Sequence, residues 1–225
     1  MNTRPDTNRR LEKLGGLAAI YGALVYLLTM TVFLLVLDYP SLTNPADRAA
    51  MIINHQGLVI ILHWLSYILF GLALTVLSFA LFKTIHLKDA SGMIFATIFA
   101  VIWATLLIAS GLIFNHGAAA VAALHIADPE QAVLLWQGIE VISSALSFAD
   151  GELLGGLWMV LVGVSAGKSG HFHKFLNLLA VGVGFLGILS IVPFLNILSA
   201  LFGLGQLIWF IGIGISLLKG TAKAH

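Results

Sequence analysis

The lengths of the apolar runs constrain this chain more than any motif does. Six stretches carry few or no charges: 14–36, 57–82, 92–114, 143–165, 175–195 and 198–218. About 20 mostly apolar residues in helix cover the hydrocarbon thickness of a bilayer. The strands of a membrane barrel are short and alternate apolar with polar residues, so these continuous runs exclude a barrel. The chain is 60% hydrophobic and 9% charged, with a mean hydropathy of +1.02, whereas a soluble domain carries about 25% charged residues. The expected fold is therefore all-α, a polytopic membrane bundle of six transmembrane helices. The first run is too long for the h-region of a cleaved signal, which spans about 7–15 residues, and reads as the first span.

The basic residues orient this scheme. Arg4, Arg9, Arg10 and Lys13 precede the first span, and Lys83 and Lys88 join the second to the third. Lys168 and Lys174 join the fourth to the fifth, and Lys219 and Lys223 follow the sixth. Arg48 stands on the other side. Basic residues near span ends stay in the cytoplasm, so both termini are expected there, N-in and C-in. The expected organisation is a basic cytoplasmic segment 1–13, a single six-helix transmembrane domain 14–218 and a cytoplasmic tail 219–225. Arg9, Arg10 and Lys13 are expected to touch anionic headgroups. A net charge of +1 argues against nucleic acid as a partner; the expected partner is the lipid bilayer. The absence of cysteine removes disulfides, thiolate metal ligands and a cysteine nucleophile.

Two longer connections on the outward side, 38–56 and 115–142, each open a helix. Asn44-Pro45-Ala46-Asp47 supplies a capping side chain, a proline at the first helical position and an acid in the first turn. Asp128-Pro129-Glu130-Gln131 repeats the pattern, with Gln131 placed for a capping box. From each proline the chain reads as helix for roughly 40 residues, longer than a hydrocarbon core of about 30 Å at about 1.5 Å per residue. Helices two and four are thus expected to extend into a small outward helical cap, joined by a short helix over 118–126. A break near Gly57 or Gly151 is the alternative for each.

Glycine spacing suggests packing. Gly151 and Gly155, Gly163 and Gly167, and Ala18 and Gly22 are small pairs four residues apart, and read as intrachain helix contacts. Gly182-Val183-Gly184-Phe185-Leu186-Gly187 matches the dinucleotide pattern G-x-G-x-x-G. That fingerprint needs a strand before it and a helix opening at it; here it lies within span five.

The polar residues inside the spans are the functional candidates. An ionisable group in hydrocarbon costs about 2.5–3.5 kcal/mol on insertion scales and so faces protein or water. At 100° per residue, Glu140, Ser143, Ser144, Ser147 and Gly151 share one stripe of helix four, with Asp150 flanking it and Glu152 turned away. Gln56, His63, Ser66 and Tyr67 share a face of helix two, with Ser78 further down, and Asn115 and His116 close span three on the same side. The expected site is an outward-leaflet polar pocket for a ligand or a proton, formed by His63, Tyr67, Glu140, Ser147, Asp150, Glu152, Asn115 and His116. Three readings stay open. The first is transport or sensing of a small ligand. The second is a membrane-embedded enzyme, or a metal or haem protein, using His63 with Asp150 or Glu152, or His63 with His116. The third is interhelical hydrogen bonding alone, in a structural or assembly subunit. The chain lacks H-x-x-x-H, H-E-x-x-H and the Glu-x-x-His pairs of di-iron bundles, and assigns no catalytic residue, metal or cofactor. His171 and His173 read as interfacial, as do Tyr39 and Trp136 on the outward side. Trp64, Trp103, Trp158 and Trp209 read as packing residues within spans.

Gly155-Gly156-Leu157-Trp158 through Gly163, Lys168-Ser169-Gly170, the glycine-rich fifth span and Gln206-Leu207-Ile208-Trp209 make a pattern that covers much of the C-terminal half. With the opening Arg9-Arg10 through Leu14-Gly15-Gly16-Leu17-Ala18-Ala19-Ile20-Tyr21, the chain resembles the bacterial membrane family called domain of unknown function 4386. The resemblance implies a multi-pass protein of the bacterial cytoplasmic (inner) membrane with about six helices, and brings no reaction, cofactor or site residue. Many members of that family have a proline in the turn before span five, where this chain has Phe172-His173-Lys174.

Overall fold

The computed structural model of the chain describes residues 4–85, 90–147, 151–195 and 197–220. Among the described residues the regular elements are helical and none is a strand. Helix α1 (Arg4–Thr31) passes into a π-helical turn, Val32–Val36, and a 3-10 turn, Tyr39–Ser41, leads to α2 (Pro45–Asn54). Next come α3 (Gln56–His63), a π-helical segment (Trp64–Leu69) and α4 (Phe70–Ile85). Helices α5 (Ala90–His125), α6 (Pro129–Ser147), α7 (Leu153–Ser169), α8 (Lys174–Leu189) and α9 (Ile197–Lys219) complete the order.

Four stretches are long and apolar enough to cross a membrane: Asn8–Val36, Gln56–Ile85, Ser91–His125 and Ile197–Lys219. Helices α7 and α8 are apolar too, but shorter, at 17 and 16 residues. Many apolar side chains on these helices face outward, among them Leu24, Leu28 and Leu35, and then Ile94, Phe95, Ile98 and Ile102. Contiguous exposed apolar surface of this extent is rare on a water-soluble monomer.

The helix starts form as the capping chemistry requires. Asn44 Oδ1 accepts from Ala46 N at 3.0 Å with Pro45 next to it, and Asp128 Oδ1 accepts from Gln131 N at 3.0 Å. Three expectations change. No separate helix forms over 118–126: α5 runs unbroken through Asn115 and His116 to His125. The run Ala118-Ala119-Ala120 favours helix strongly enough to carry Gly117 with it, and Gly117 packs against Ile139, leaving no room for a Cβ. Helix two is interrupted at His55, two residues before Gly57, where φ of −116° and ψ of 24° separate α2 from α3, so the alternative of a break near Gly57 holds. Helix four opens at Gly151 and Glu152. There Ser190 Oγ accepts from Glu152 N at 2.9 Å, and Glu152 O accepts from Gly156 N at 2.8 Å to start α7. A Cβ on Gly151 would lie 2.8 Å from Ile191 Cα.

The chain divides into two compact units. One takes in Met1–Leu24, Leu72–Ala104 and Phe148–His225. Its helices meet backbone to backbone. A Cβ on Gly156 would stand 2.6 Å from Gly184 O, and a Cβ on Gly184 would stand 2.6 Å from Gly156 O, so α7 and α8 touch there. Gly16 and Gly214 bring α1 and α9 together in the same way, at 2.9 and 3.1 Å from each other's carbonyl. Gly155 receives Trp103 and Phe202, and Gly163 faces Asn177 O. In the dinucleotide-like run, inside α8, Gly184 and Gly187 are helix contacts and Gly182 is open. The core is aromatic. Trp158 lies edge-on to Trp209 at 5.4 Å and near Trp103 at 6.1 Å, and its Nε1 donates to Ser78 Oγ at 3.2 Å. Arg9 is not a pure headgroup anchor. Its guanidinium donates to Leu217 O at 2.9 Å and Leu218 O at 2.6 Å, satisfying carbonyls that end α9, and pairs with Glu12 at 3.2 Å.

The second unit takes in Val25–Gly71 and Thr105–Ser147. Its core joins Leu37, Ile52, Val59, Phe114, Val121 and Trp136. Trp136 is fully buried in this core. Ser110 Oγ donates to Ser143 O at 2.8 Å and ties α5 to α6, and Gln56 Nε2 donates to Ala118 O at 3.4 Å from the α3 side.

Candidate functional site

His63 belongs to the second unit. It ends α3 and is 6% exposed. Its Nδ1 lies 3.0 Å from Val59 O. A carbonyl only accepts, so in the neutral ring Nδ1 carries the proton and Nε2 is the basic nitrogen. Phe114 stacks on the ring at 3.4 Å, Tyr67 runs parallel at 4.8 Å and Phe33 presents its edge at 5.9 Å. Trp136 in turn meets Phe114 edge-on at 5.2 Å. The π-helical segment begins directly after His63. Its i→i+5 bonding shifts the phase of everything that follows, and such segments concentrate at functional sites. Ser78, further along the same helix, lies past Gly71, where the chain passes to the other unit.

Asn115 is the unusual member. It is 8% exposed, and both Oδ1 and Nδ2 are buried without a hydrogen-bond partner. Its neighbours on α5 give its level. A Cβ on Gly111, one turn before, would lie 2.8 Å from Tyr67 Cβ and 3.6 Å from His63 O, and Ala118, one turn after, receives Gln56. Asn115 thus stands beside the stripe of α5 that faces Gln56 to Tyr67, near the level of Val59 and His63. Trp136 Nε1 is likewise buried and unpartnered.

A polar cluster holds the ends of this unit. Arg48 Nη1 donates to Glu140 Oε1 at 3.0 Å, its Nε donates to Leu42 O at 2.7 Å, and its guanidinium lies over the Tyr39 ring at 5.3 Å. The Tyr39 hydroxyl also donates to Glu140 Oε1. Burial first, and then the Glu140 carboxylate, raise the Tyr39 phenol above its ordinary value of 10.0. Glu140 is therefore a structural acceptor for a cation and a phenol, not an open pocket carboxylate.

The structure brings His63, Tyr67, Asn115, Glu140 and Ser147 into one unit. Ser147 is buried and turned back onto Ser144 O at 3.2 Å. His116 is exposed while His63 is buried, which separates the environments of the suggested haem pair. Glu152 belongs to the other unit, where Oε2 is buried without a partner. Asp150 lies outside the described residues. Among the described residues no group of three or more His, Cys, Asp or Glu side chains is placed to hold a metal ion. Sequence reasoning missed Arg48, Phe33 and Phe114. Arg48 carried a signal, as the one basic residue expected on the outward side, which calls for an acidic partner. No family model matches the chain, and neither a curated protein nor a solved structure matches it.

Proposed function

We propose that this is a multi-pass membrane protein that binds a small, uncharged polar ligand beside His63 and Asn115, in transport or ligand sensing. The observation that carries the reading is the Asn115 amide, buried with both its donor and its acceptor unused. Leaving such a group unpaired costs about 1–3 kcal/mol, and an amide with both its donor and its acceptor uncompensated points to a molecule that completes its bonding. His63 supplies a second acceptor, and the burial of both residues disfavours a charged partner. The six-span arrangement belongs to the same proposal, with α7 and α8 as short spans, both termini inside and the chain in a bacterial cytoplasmic membrane. The basic bias and the resemblance to the 4386 family support it.

Thermal unfolding of the detergent-purified protein against a panel of amides, polyols and sugars tests the site. A binding solute is expected to raise the midpoint of the wild type but not of Asn115→Leu. Without solute, Asn115→Leu is expected to be about 1 kcal/mol more stable, because an apolar side chain of similar size removes the unpaired amide. A less stable Asn115→Leu, together with no response to any solute, would show that the amide is satisfied internally and remove the proposal. Reporter fusions after Lys88, Lys174 and Lys223 are expected on one side of the membrane and a fusion at Asp128 on the other.

A further inference from the structure

We infer that Glu152 is a proton-binding site, a carboxylic acid held neutral where the start of α7 meets the end of α8. The inference is separate from the ligand site at His63, because Glu152 belongs to the other unit.

Two helix ends meet there. Glu152 stands just before α7 in a non-helical conformation, with φ of −102° and ψ of 53°. Its N donates at 2.9 Å to the Oγ of Ser190, a fully buried residue that ends α8. A Cβ on Gly187 would lie 2.9 Å from Glu152 O, and Phe202 of α9 packs against both Gly187 and Gly155. Glu152 Oε2 is buried and has no hydrogen-bond partner among the described residues.

Each means of holding a carboxylate ionised is missing. An acid at a helix start ordinarily turns back onto the free N–H groups of the first turn, but the Glu152 side chain makes no such bond. The Ser190 hydroxyl gives its proton to Gly187 O at 2.6 Å and has none for a carboxylate. The chain around the site carries no cation. Residues 90–104, 153–167 and 175–218, which supply the α5, α7, α8 and α9 surfaces of this unit, contain no titratable side chain. Asp150 lies outside the described residues and, as an acid, supplies no positive charge. Lys168 and Lys219 close α7 and α9, and Lys174 opens α8, so these cations stand at the opposite ends of their helices. Along α7 that separation is about 24 Å at about 1.5 Å per residue. A buried carboxyl without a cation or a donor prefers its neutral form. The side chain as a whole is partly exposed, which gives its proton a route in and out of the folded chain.

The experiment treats the full chain in detergent micelles with dicyclohexylcarbodiimide and locates the product by peptide mass spectrometry. In this reaction the acid O–H adds across a C=N bond of the reagent, the proton going to nitrogen and the oxygen to carbon. The acyl group then moves to nitrogen and leaves a stable N-acylurea. An ordinary glutamate, with a pKa of about 4.3, is ionised at pH 7 and reacts little. Glu152 is expected to be labelled at least ten-fold more than the exposed Glu130 at that pH. Infrared difference spectra of wild type against Glu152→Gln are expected to show a carboxylic-acid C=O band that the variant lacks. Glu152→Ala replaces Glu152→Gln should the latter fail to fold.

Equal labelling of Glu130 overturns the inference, because the reagent would then report exposure alone. Label without the infrared band overturns it too, the acid being only a minor form drawn out by the reagent. The band without the label upholds it, since the band reads the proton directly. Loss of labelling on adding sodium ions at constant pH overturns it in favour of a carboxylate that holds a metal cation. Absence of both label and band overturns it outright.

Discussion

The unit containing Trp158 and the unit containing Trp136 hold their helices together by opposite means. In the first, α7 meets α8 and α1 meets α9 through glycines whose backbones touch, and the remaining space is filled by Trp103, Trp158, Trp209 and Phe202. In the second, the helices are irregular, with two π-helical segments and a break at His55, and polar bonds do much of the joining. Arg48, Tyr39 and Glu140 form one such group, and Ser110 with Ser143 another. Lipid offers no hydrophobic drive for helix association, so close packing and interhelical hydrogen bonds are the two means available. Close packing tolerates no added volume. Polar joining tolerates volume but depends on every partner being present. Asn115, with both amide atoms unpaired, lies in the second unit.

The largest expected effect breaks the close-packed unit. Gly156→Leu or Gly184→Leu inserts a side chain where a Cβ alone would stand 2.6 Å from a facing carbonyl. Each is expected to cost more than about 3 kcal/mol, beyond the usual range for overpacking because backbone must move. Gly182→Ala, in the same helix with open space around it, is expected to be neutral or stabilising by about 0.5 kcal/mol. Unfolding midpoints in one detergent measure all three. If Gly156→Leu were tolerated, the contrast between the units would be lost.

The next effect concerns the polar unit. Arg48 and Glu140 side chains are 33% and 20% exposed, between the surface case, worth about 0–1 kcal/mol, and the buried case, where breaking a pair costs about 3–5 kcal/mol. Glu140→Ala is expected to cost about 2 kcal/mol, leaving Arg48 and Tyr39 without their shared acceptor. A double-mutant cycle of Glu140→Ala with Arg48→Met is expected to show coupling above about 0.5 kcal/mol. Additive losses would mean that the cluster is surface decoration. Arg9→Gln probes the corresponding polar contact of the close-packed unit. Its guanidinium is partly exposed and binds the end of a single helix, so a smaller loss of about 1 kcal/mol is expected, read in the same unfolding assay.

What was legible in the sequence follows the same division. Apolar runs and capping residues are local signals, so Asn44-Pro45 and Asp128-Pro129 mark their helix starts correctly. The small pairs Gly151 and Gly155 do serve packing, but the deepest contact uses Gly156 and Gly184, which no spacing rule singles out. Continuity of α5 through Asn115-His116-Gly117 was hidden because polar residues beside a glycine look like a helix end. Tertiary contact with Ile139 overrides that reading. The partnership of Arg48 with Glu140 joins residues 92 positions apart, and only the fold reveals it. The aromatic enclosure of His63 by Phe33, Phe114 and Tyr67 is of the same kind, since three separate helical segments supply the rings.

The smallest expected effect is a pH dependence confined to the polar unit. Burial, together with the hydrogen bond to Glu140 and its negative charge, raises the Tyr39 phenol above 10.0 in the folded protein. In the unfolded chain the phenol titrates near its ordinary value. Below that value both states hold the proton, and the contribution of Tyr39 to stability is complete. As pH rises past it, the unfolded chain loses its proton first, binds fewer protons than the fold, and becomes relatively favoured. Stability therefore falls with rising pH until the folded phenol also ionises. One fully buried group gives at most about 1.4 kcal/mol per pH unit, and Tyr39 is only partly buried, so a fraction of that is expected. Other tyrosines and the lysines titrate in the same window, but they cancel in the difference between wild type and Tyr39→Phe measured from pH 9 to 11. The difference should shrink as pH rises, and amide exchange should place the loosening in 129–147 and not in 153–169. A constant difference would show that the phenol is not held by Glu140, and uniform loosening would show that the two units do not unfold separately.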